Sequence, residues 1–158
     1  MKLPESTEWA LHAVASLAQL EPGSTASAAQ LAEYFDLPPA YLAKQLQSLV
    51  RAGVLAANTG PRGGFRLARP ADQVTMLDIV EAIDGSSAPY VCRELRQQGT
   101  GAAAPEECRE TCFLAARMAD AHEAWRGSLR AVTIADVHAT LPPAVGDRTR
   151  VLLERPGR

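Results

Sequence analysis

A chain of 158 residues that is 47% hydrophobic can bury the core of one ordinary domain, or of a small domain with a long appendage. Its formal net charge of −2 makes any positive face a local feature. No run approaches the roughly 18 apolar residues of a membrane span, and the start MKLPESTEW is neither signal peptide nor anchor, so the expected location is the cytoplasm. There, three cysteines point to metal binding or redox chemistry rather than to a disulfide framework.

Only 5% of the residues are aromatic, and alanine-rich, leucine-spaced segments favour helices. The spacing of Leu11, Val14, Leu17 and Ala18 predicts a first helix from about Glu5 to Leu20, ended by Pro22-Gly23. Ser27 reads as the cap of a second helix, AAQLAEYFDL, closed near Asp36 and Leu37. Pro38-Pro39 opens a third, PAYLAKQLQSLVRAG, with Leu42, Leu46 and Leu49 inward and Gly53 as the stop. Val54-Leu55 and Phe65-Arg66-Leu67 read as two short strands around the turn NTGPRGG, which makes a wing after a helix-turn-helix. Between Leu37 and Pro70 stand Lys44, Arg51, Arg62, Arg66 and Arg69 and no acidic residue, an arrangement suited to a polyanion such as DNA.

Thr75 to Asp84 predicts a fourth helix, with Met76, Ile79, Val80 and Ile83 inward and Gly85 ending it. Residues 86 to 105 have no sustained period and read as a long loop of the functional kind. From about Glu106 to Arg130, Leu114, Met118, Ala121, Trp125 and Leu129 recur at gaps of four and three. One long helix with one apolar stripe needs a partner surface, and a two-fold mate supplies it. TIADVHATL predicts a turn or two capped by Thr133, and the remainder, PPAVGDRTRVLLERPGR, reads as loosely ordered. The expected organisation is mainly α: a winged helix-turn-helix over residues 1–85, a ligand-bearing loop over 86–105, a dimerisation helix and short terminal helix over 106–140, and a tail over 141–158.

Two pairs of residues carry chemistry. Glu8 and His12, four apart on the first helix, share one face, a polar stripe that also takes in Glu5, Ser16 and Gln19; alone, such a pair is ordinarily an exposed ion pair. Cys108 and Cys112 repeat the spacing at the start of the long helix and, at about 100° per residue, lie well away from the Leu114 and Trp125 stripe. Two thiolates, an imidazole and a carboxylate suit iron or zinc. An enzyme is disfavoured: GPRGG lacks the lysine and spacing of a phosphate loop, His122 and His138 are isolated, and Ser128 has no elbow motif.

The run LPPAYLAKQLQSLVRAGVLAANTGPRGGFRLARPADQVTMLDIVEAIDG resembles the DNA-binding domain of the Rrf-type winged-helix regulators, the family of IscR and NsrR. AYLAKQLQSLVRAGVL, RGGFRLARP and LDIVEAIDG carry the likeness, which with the flanking helices covers about residues 1 to 140. It implies a homodimer on double-stranded DNA, its third helix in the major groove and its wing in the minor groove. It places Pro39, Tyr41 and Lys44 against DNA, with Arg62 at the wing tip and Arg66 behind it; Thr59 stands where relatives often carry arginine.

The same resemblance implies an iron-sulfur cluster held by loop cysteines and one further ligand. Relatives carry three evenly spaced cysteines, whereas here fifteen residues separate Cys92 from Cys108, and Cys112 is only four beyond. Cys108, Cys112, Glu8 and His12 therefore suit a two-iron, two-sulfide (2Fe-2S) cluster, with Cys92 a spare thiol or a ligand in place of Cys108. Imidazole and carboxylate ligation raises the reduction potential over an all-cysteine cluster, as in Rieske-type centres, and couples it to a proton. Trp9, beside Glu8, becomes a residue that reports the change or an ordinary packing tryptophan. The expectation is a redox-sensing transcriptional regulator, a repressor on a palindromic operator; the alternative is the same DNA-binding module under zinc, nitric oxide or a thiol switch.

Overall fold

The computed structural model describes residues 2–60 and 63–154, and divides into two compact units, residues 86–128 and residues 2–85 with 129–154. Its elements are α1 (Glu5–Leu17), α2 (Ala28–Phe35), α3 (Pro39–Arg51), β1 (Leu55–Asn58), β2 (Gly64–Leu67), α4 (Met76–Asp84), α5 (Phe113–Arg130), α6 (Ile134–Ala139) and α7 (Pro143–Leu153). The fold is the mainly helical winged helix-turn-helix that the sequence predicts. No helix among the described residues is long and apolar enough to cross a membrane.

In the larger unit the helix-turn-helix is built by local signals and closed by apolar packing. Ser27 and Gln30 form a reciprocal capping box, the Gln30 amide donating to Ser27 Oγ at 3.2 Å and the Ser27 amide to Gln30 Oε1 at 2.8 Å. Asp36, in the left-handed conformation with φ 54°, ends α2 and lets Leu37 donate to the Ala32 carbonyl at 2.9 Å. That turn sends Pro39 into the first position of α3, where its missing N–H leaves no bond unmade. Leu42, Leu46 and Leu49 are fully buried with Ala10, Val14, Leu31 and Ile79, so α3 is held by α1, α2 and α4. Burying each such side chain stabilises by roughly 1.5–3 kcal/mol.

The wing pairs β1 and β2 antiparallel, Leu55 opposite Leu67 and Asn58 opposite Gly64. It is pinned beneath by Ala26, which exchanges backbone bonds with Phe65 at 3.1 and 2.8 Å. A Cβ at Gly64 would come within 2.7 Å of the Ala26 backbone, so this close approach requires glycine.

Three expectations need correction. The long helix starts at Phe113, not near Glu106; Pro105–Cys108 is a 3-10 turn, so Cys108 and Cys112 do not sit on successive turns of one α-helix. Ser16 and Gln19 of the first helix are buried rather than part of an exposed polar stripe. The tail forms α7, folded onto α2: Leu153 is buried, the Tyr34 and Thr149 hydroxyls are 3.1 Å apart, and Gln30 Nε2 donates to the Leu153 carbonyl at 3.1 Å. The buried seam of α7 is Gly146, Thr149 and Leu153, with a single large apolar residue, and so has no hydrophobic period to read. In α4, Leu77 is buried while Met76 and Ile83 are half-buried.

Candidate functional site

Because Leu42, Leu46 and Leu49 fix one side of α3 in the core, the other side is set by the helical period. Tyr41, Lys44, Gln47 and Arg51 follow one another there at three- to four-residue intervals, all exposed, with Pro39 exposed at the start. Tyr41 is 65% exposed, which leaves a large aromatic side chain uncovered at the head of the helix. Arg51 donates to Ser48 Oγ at 2.7 Å, and Arg66 on β2 is exposed. Gln47 is absent from the residues singled out above; the interval between Lys44 and Arg51 is the signal that finds it. Its amide carries the donor and acceptor that base edges accept. Arg62 lies outside the described residues.

Arg69 belongs to the scaffold instead. Its Nη2 pairs with Asp78 Oδ2 at 2.7 Å, and the same oxygen accepts from the Thr75 amide at 2.8 Å and hydroxyl at 2.9 Å. Burial pushes the Asp78 carboxyl up, but the Thr75 bonds and the Arg69 guanidinium outweigh it and hold the carboxyl below its ordinary value. Among the described residues, Lys44, Arg51 and Arg66 are left for the face.

On α1, Glu8 and His12 are both exposed and both line a cleft of about 300 Å³ with Leu3, Pro4, Glu5, Thr7 and Leu11. Thr7, which also lines the cleft, is 1% exposed, and its Oγ1 has no hydrogen-bond partner. The His12 ring lies 5.8 Å from that of Phe35, at the end of α2. Trp9 is half-buried against the core.

In the 86–128 unit the cysteines gather around one arginine. Arg96 Nε and Nη2 grip the Glu94 carboxylate at 2.6 and 2.8 Å, and Nη2 also donates to the Glu110 carbonyl at 3.0 Å. The hydrogen bond from Arg96 holds the Glu94 carboxyl below its usual range. The guanidinium is raised by Glu94 first and also by the fields of Cys108 and Cys112. Cys112 immediately precedes α5, where its sulfur accepts from the Ala115 and Leu114 amides and from the Cys92 thiol. Those amide bonds, then the Arg96 charge and the Cys92 bond, outweigh burial and lower the Cys112 thiol.

The structure thus brings Glu8 beside His12, and Cys112 beside Cys92 with Arg96 near Cys108 and Cys112. The two sets belong to different units. No three His, Cys, Asp or Glu residues gather as a metal site among the described residues. Glu8 offers a hard oxygen donor and His12 a borderline nitrogen, the cysteines offer soft sulfurs, and neither set alone supplies the four ligands an iron-sulfur group takes.

A capped helix-turn-helix with an exposed, acid-free face on its second helix and a two-stranded wing defines a winged-helix protein of the DNA-binding kind. The Rrf2 family model, described as an iron-dependent transcriptional regulator, matches residues 3–140, and the chain belongs to this family of transcriptional regulators. YwgB of Bacillus subtilis, named as an HTH-type transcriptional regulator, is 27% identical over 131 residues, 82% of this chain and 80% of YwgB. Two solved structures share the fold: CymR, the global cysteine regulator of B. subtilis, with 21% identity, TM-score 0.68 and coverage of 90% of this chain and 99% of CymR; and IscR of T. potens, with 18% identity, TM-score 0.65 and coverage of 90% and 93%.

Proposed function

We propose that this Rrf2 regulator is a redox-sensing repressor that binds a palindromic operator as a homodimer under the control of a 2Fe-2S cluster. The carrying observation is that Glu8 and His12 are both exposed and line one cleft. Cys108 and Cys112 would complete the ligand set, each pair coming from a different subunit. The sequence STEWALH around the first pair resembles the actinobacterial redox regulator RsrR. A bound cluster supplies one-electron chemistry, at a potential raised by its carboxylate and imidazole ligands.

The rest is work for this chain's own residues. His12 would hold the cluster through one ring nitrogen. The amides that open α5 lower the Cys112 thiol, which would favour the sulfur as a ligand. α1 packs directly on α3 and α4, so a displacement of the Glu8 and His12 face bears on the recognition helix. Trp9, next to Glu8 in the chain and packed against the core, registers the displacement. Two recognition helices must meet half-sites about 34 Å apart, so a small rotation decides whether both can dock.

The test is a mobility-shift assay on protein purified without oxygen, reduced and oxidised, with iron content and visible absorbance in parallel. Tight binding by the oxidised protein and weak binding by the reduced protein is expected, with absorbance lost in Glu8→Ala, His12→Ala, Cys108→Ala and Cys112→Ala. Equal binding in both states, or iron-free colourless protein, defeats the proposal.

A further inference from the structure

We infer that α7 is a brace for DNA recognition: it holds α2 in the position from which that helix crosses the DNA backbone while α3 lies in the major groove. Gln30 and Tyr34 are the positioning residues through which it acts. The inference rests on the DNA binding in the proposed function and not on the cluster. α7 starts at Pro143, so the brace stands beyond residues 3–140, the region that the Rrf2 model matches.

α2 needs support from outside the helix-turn-helix. It has eight residues, whereas isolated helices shorter than about 12–15 residues are marginal in water. α3 is held by α1 and α4 as well as by α2, but the helices packed most closely on α2 are α3, across the turn, and α7. In a helix-turn-helix the first helix crosses the backbone and so helps to set the register of the second in the groove. Whatever fixes α2 therefore bears on how α3 meets DNA.

The bonds of the joint assign it that task. Gln30 Nε2 donates to the Leu153 carbonyl at 3.1 Å while Oε1 of the same side chain accepts from the Ser27 amide at 2.8 Å, so one amide both caps α2 and fastens α7. One turn further along α2, the Tyr34 and Thr149 hydroxyls meet at 3.1 Å, with Thr149 only 1% exposed. α7 also grips the chain ahead of α2: the Glu21 amide donates to Glu154 Oε1 at 2.8 Å, and Arg150 Nη1 donates to the Gln19 carbonyl at 3.4 Å. The anchors thus fall on both sides of Ser27. Leu153 is the one large apolar residue in the buried seam of α7. Apolar burial has no direction, whereas hydrogen bonds do, so a joint built this way fixes an angle as well as a contact. A Cβ at Gly146 would meet Gln19 Oε1 at 3.6 Å and Arg150 Nη1 at 3.8 Å, both ordinary contacts, so alanine fits there and would stiffen α7.

The test uses the full chain and a DNA duplex selected from random sequence by the parent protein. Arg148 is exposed in mid-helix, so Arg148→Pro breaks α7 while leaving its buried seam residues in place, and Arg148→Ala removes the same charge but keeps the helix. With the amides of α4 exchanging hydrogen as in the parent, Arg148→Pro is expected to bind the duplex about tenfold more weakly, because fewer chains hold α2 in place. Arg148→Ala is expected to bind like the parent. A folded Arg148→Pro that binds like the parent, or an Arg148→Ala that loses as much as Arg148→Pro, overturns the inference. Should Arg148→Pro not fold, hydrogen exchange decides: relative to α4, Tyr34→Phe is expected to speed and Gly146→Ala to slow exchange at the α2 amides, and α2 amides indifferent to both overturn it. Selection that enriches no duplex defeats the DNA binding of the proposed function and the brace with it, whereas a selected duplex bound equally by the parent and Arg148→Pro defeats the brace alone.

Discussion

Arg69, leaving the wing, and Asp78, in the first turn of α4, meet at 2.7 Å, and the carboxylate oxygen they share also accepts two bonds from Thr75. A residue that sequence counts as part of a basic face is thereby committed to tying the wing to α4. Arg69→Gln should destabilise the fold by about 0.5–1 kcal/mol, because the pair is partly exposed. It should leave the salt dependence of DNA binding unchanged. Urea unfolding beside a salt titration of binding checks both; a shallower salt slope with unchanged stability would return Arg69 to the DNA face.

The same carboxylate sets a pH dependence. Asp78 is held below its ordinary value in the folded chain, so its contribution is complete above the unfolded value of about 3.9 and fades as pH falls through the folded one. Asp78→Asn should therefore be less stable than the parent at neutral pH, and the gap should close in acid below about pH 4. Unfolding midpoints at several pH values would show the two curves converging; parallel curves would contradict the assignment.

On α3, Lys44 and Gln47 occupy the same exposed side and should act differently. Lys44→Ala removes a point charge and should weaken specific and non-specific DNA alike, lowering the salt slope by about 1. Gln47→Ala removes a group able to read a base edge and should cost about 1–3 kcal/mol on the operator only. Equal losses on both kinds of DNA for Gln47→Ala would make it another backbone contact.

The tail offers a sharper test of packing. Leu153 is 1% exposed, and its replacement by alanine should cost about 2–5 kcal/mol. Tyr34→Phe, which breaks the bond to Thr149, should cost about 0.5–1.5 kcal/mol. Both are read from denaturant midpoints. A Leu153→Ala loss below about 0.5 kcal/mol is what a loosely tethered tail would give.

Much of this was legible because the signals are local and strong. Ser27, Thr75 and Thr133 each begin a capping box, and Leu42, Leu46 and Leu49 repeat with the helical period, so caps and core coincide. What escaped was set by contacts distant in sequence. α7 is fixed by Tyr34, Gln30 and Gln19, which lie more than a hundred residues away and bond through polar atoms. The segment between Pro105 and Cys112 contains good helix formers, yet no apolar stripe reaches it, and the helix begins only where Cys112 can receive the first amides.

The apolar stripe of α5 is the remaining question of partnership. Phe113 is 72% exposed, Leu114 65% and Met118 43%, and no residue of α5 is buried by its own chain. Large apolar side chains clustered on one helix are costly in water and mark a surface meant to be covered. If a second copy covers them, as the proposed function requires, Leu114→Glu places a charge in that seam and should convert the dimer to monomer in sedimentation experiments at micromolar concentration. A monomer engages a palindrome one half-site at a time and forfeits the effective-concentration gain of about 10²–10⁴. Operator affinity should therefore fall while binding to a single half-site stays near its parent value. A Leu114→Glu protein that remains dimeric and binds the full operator normally would put the two-fold contact on another surface.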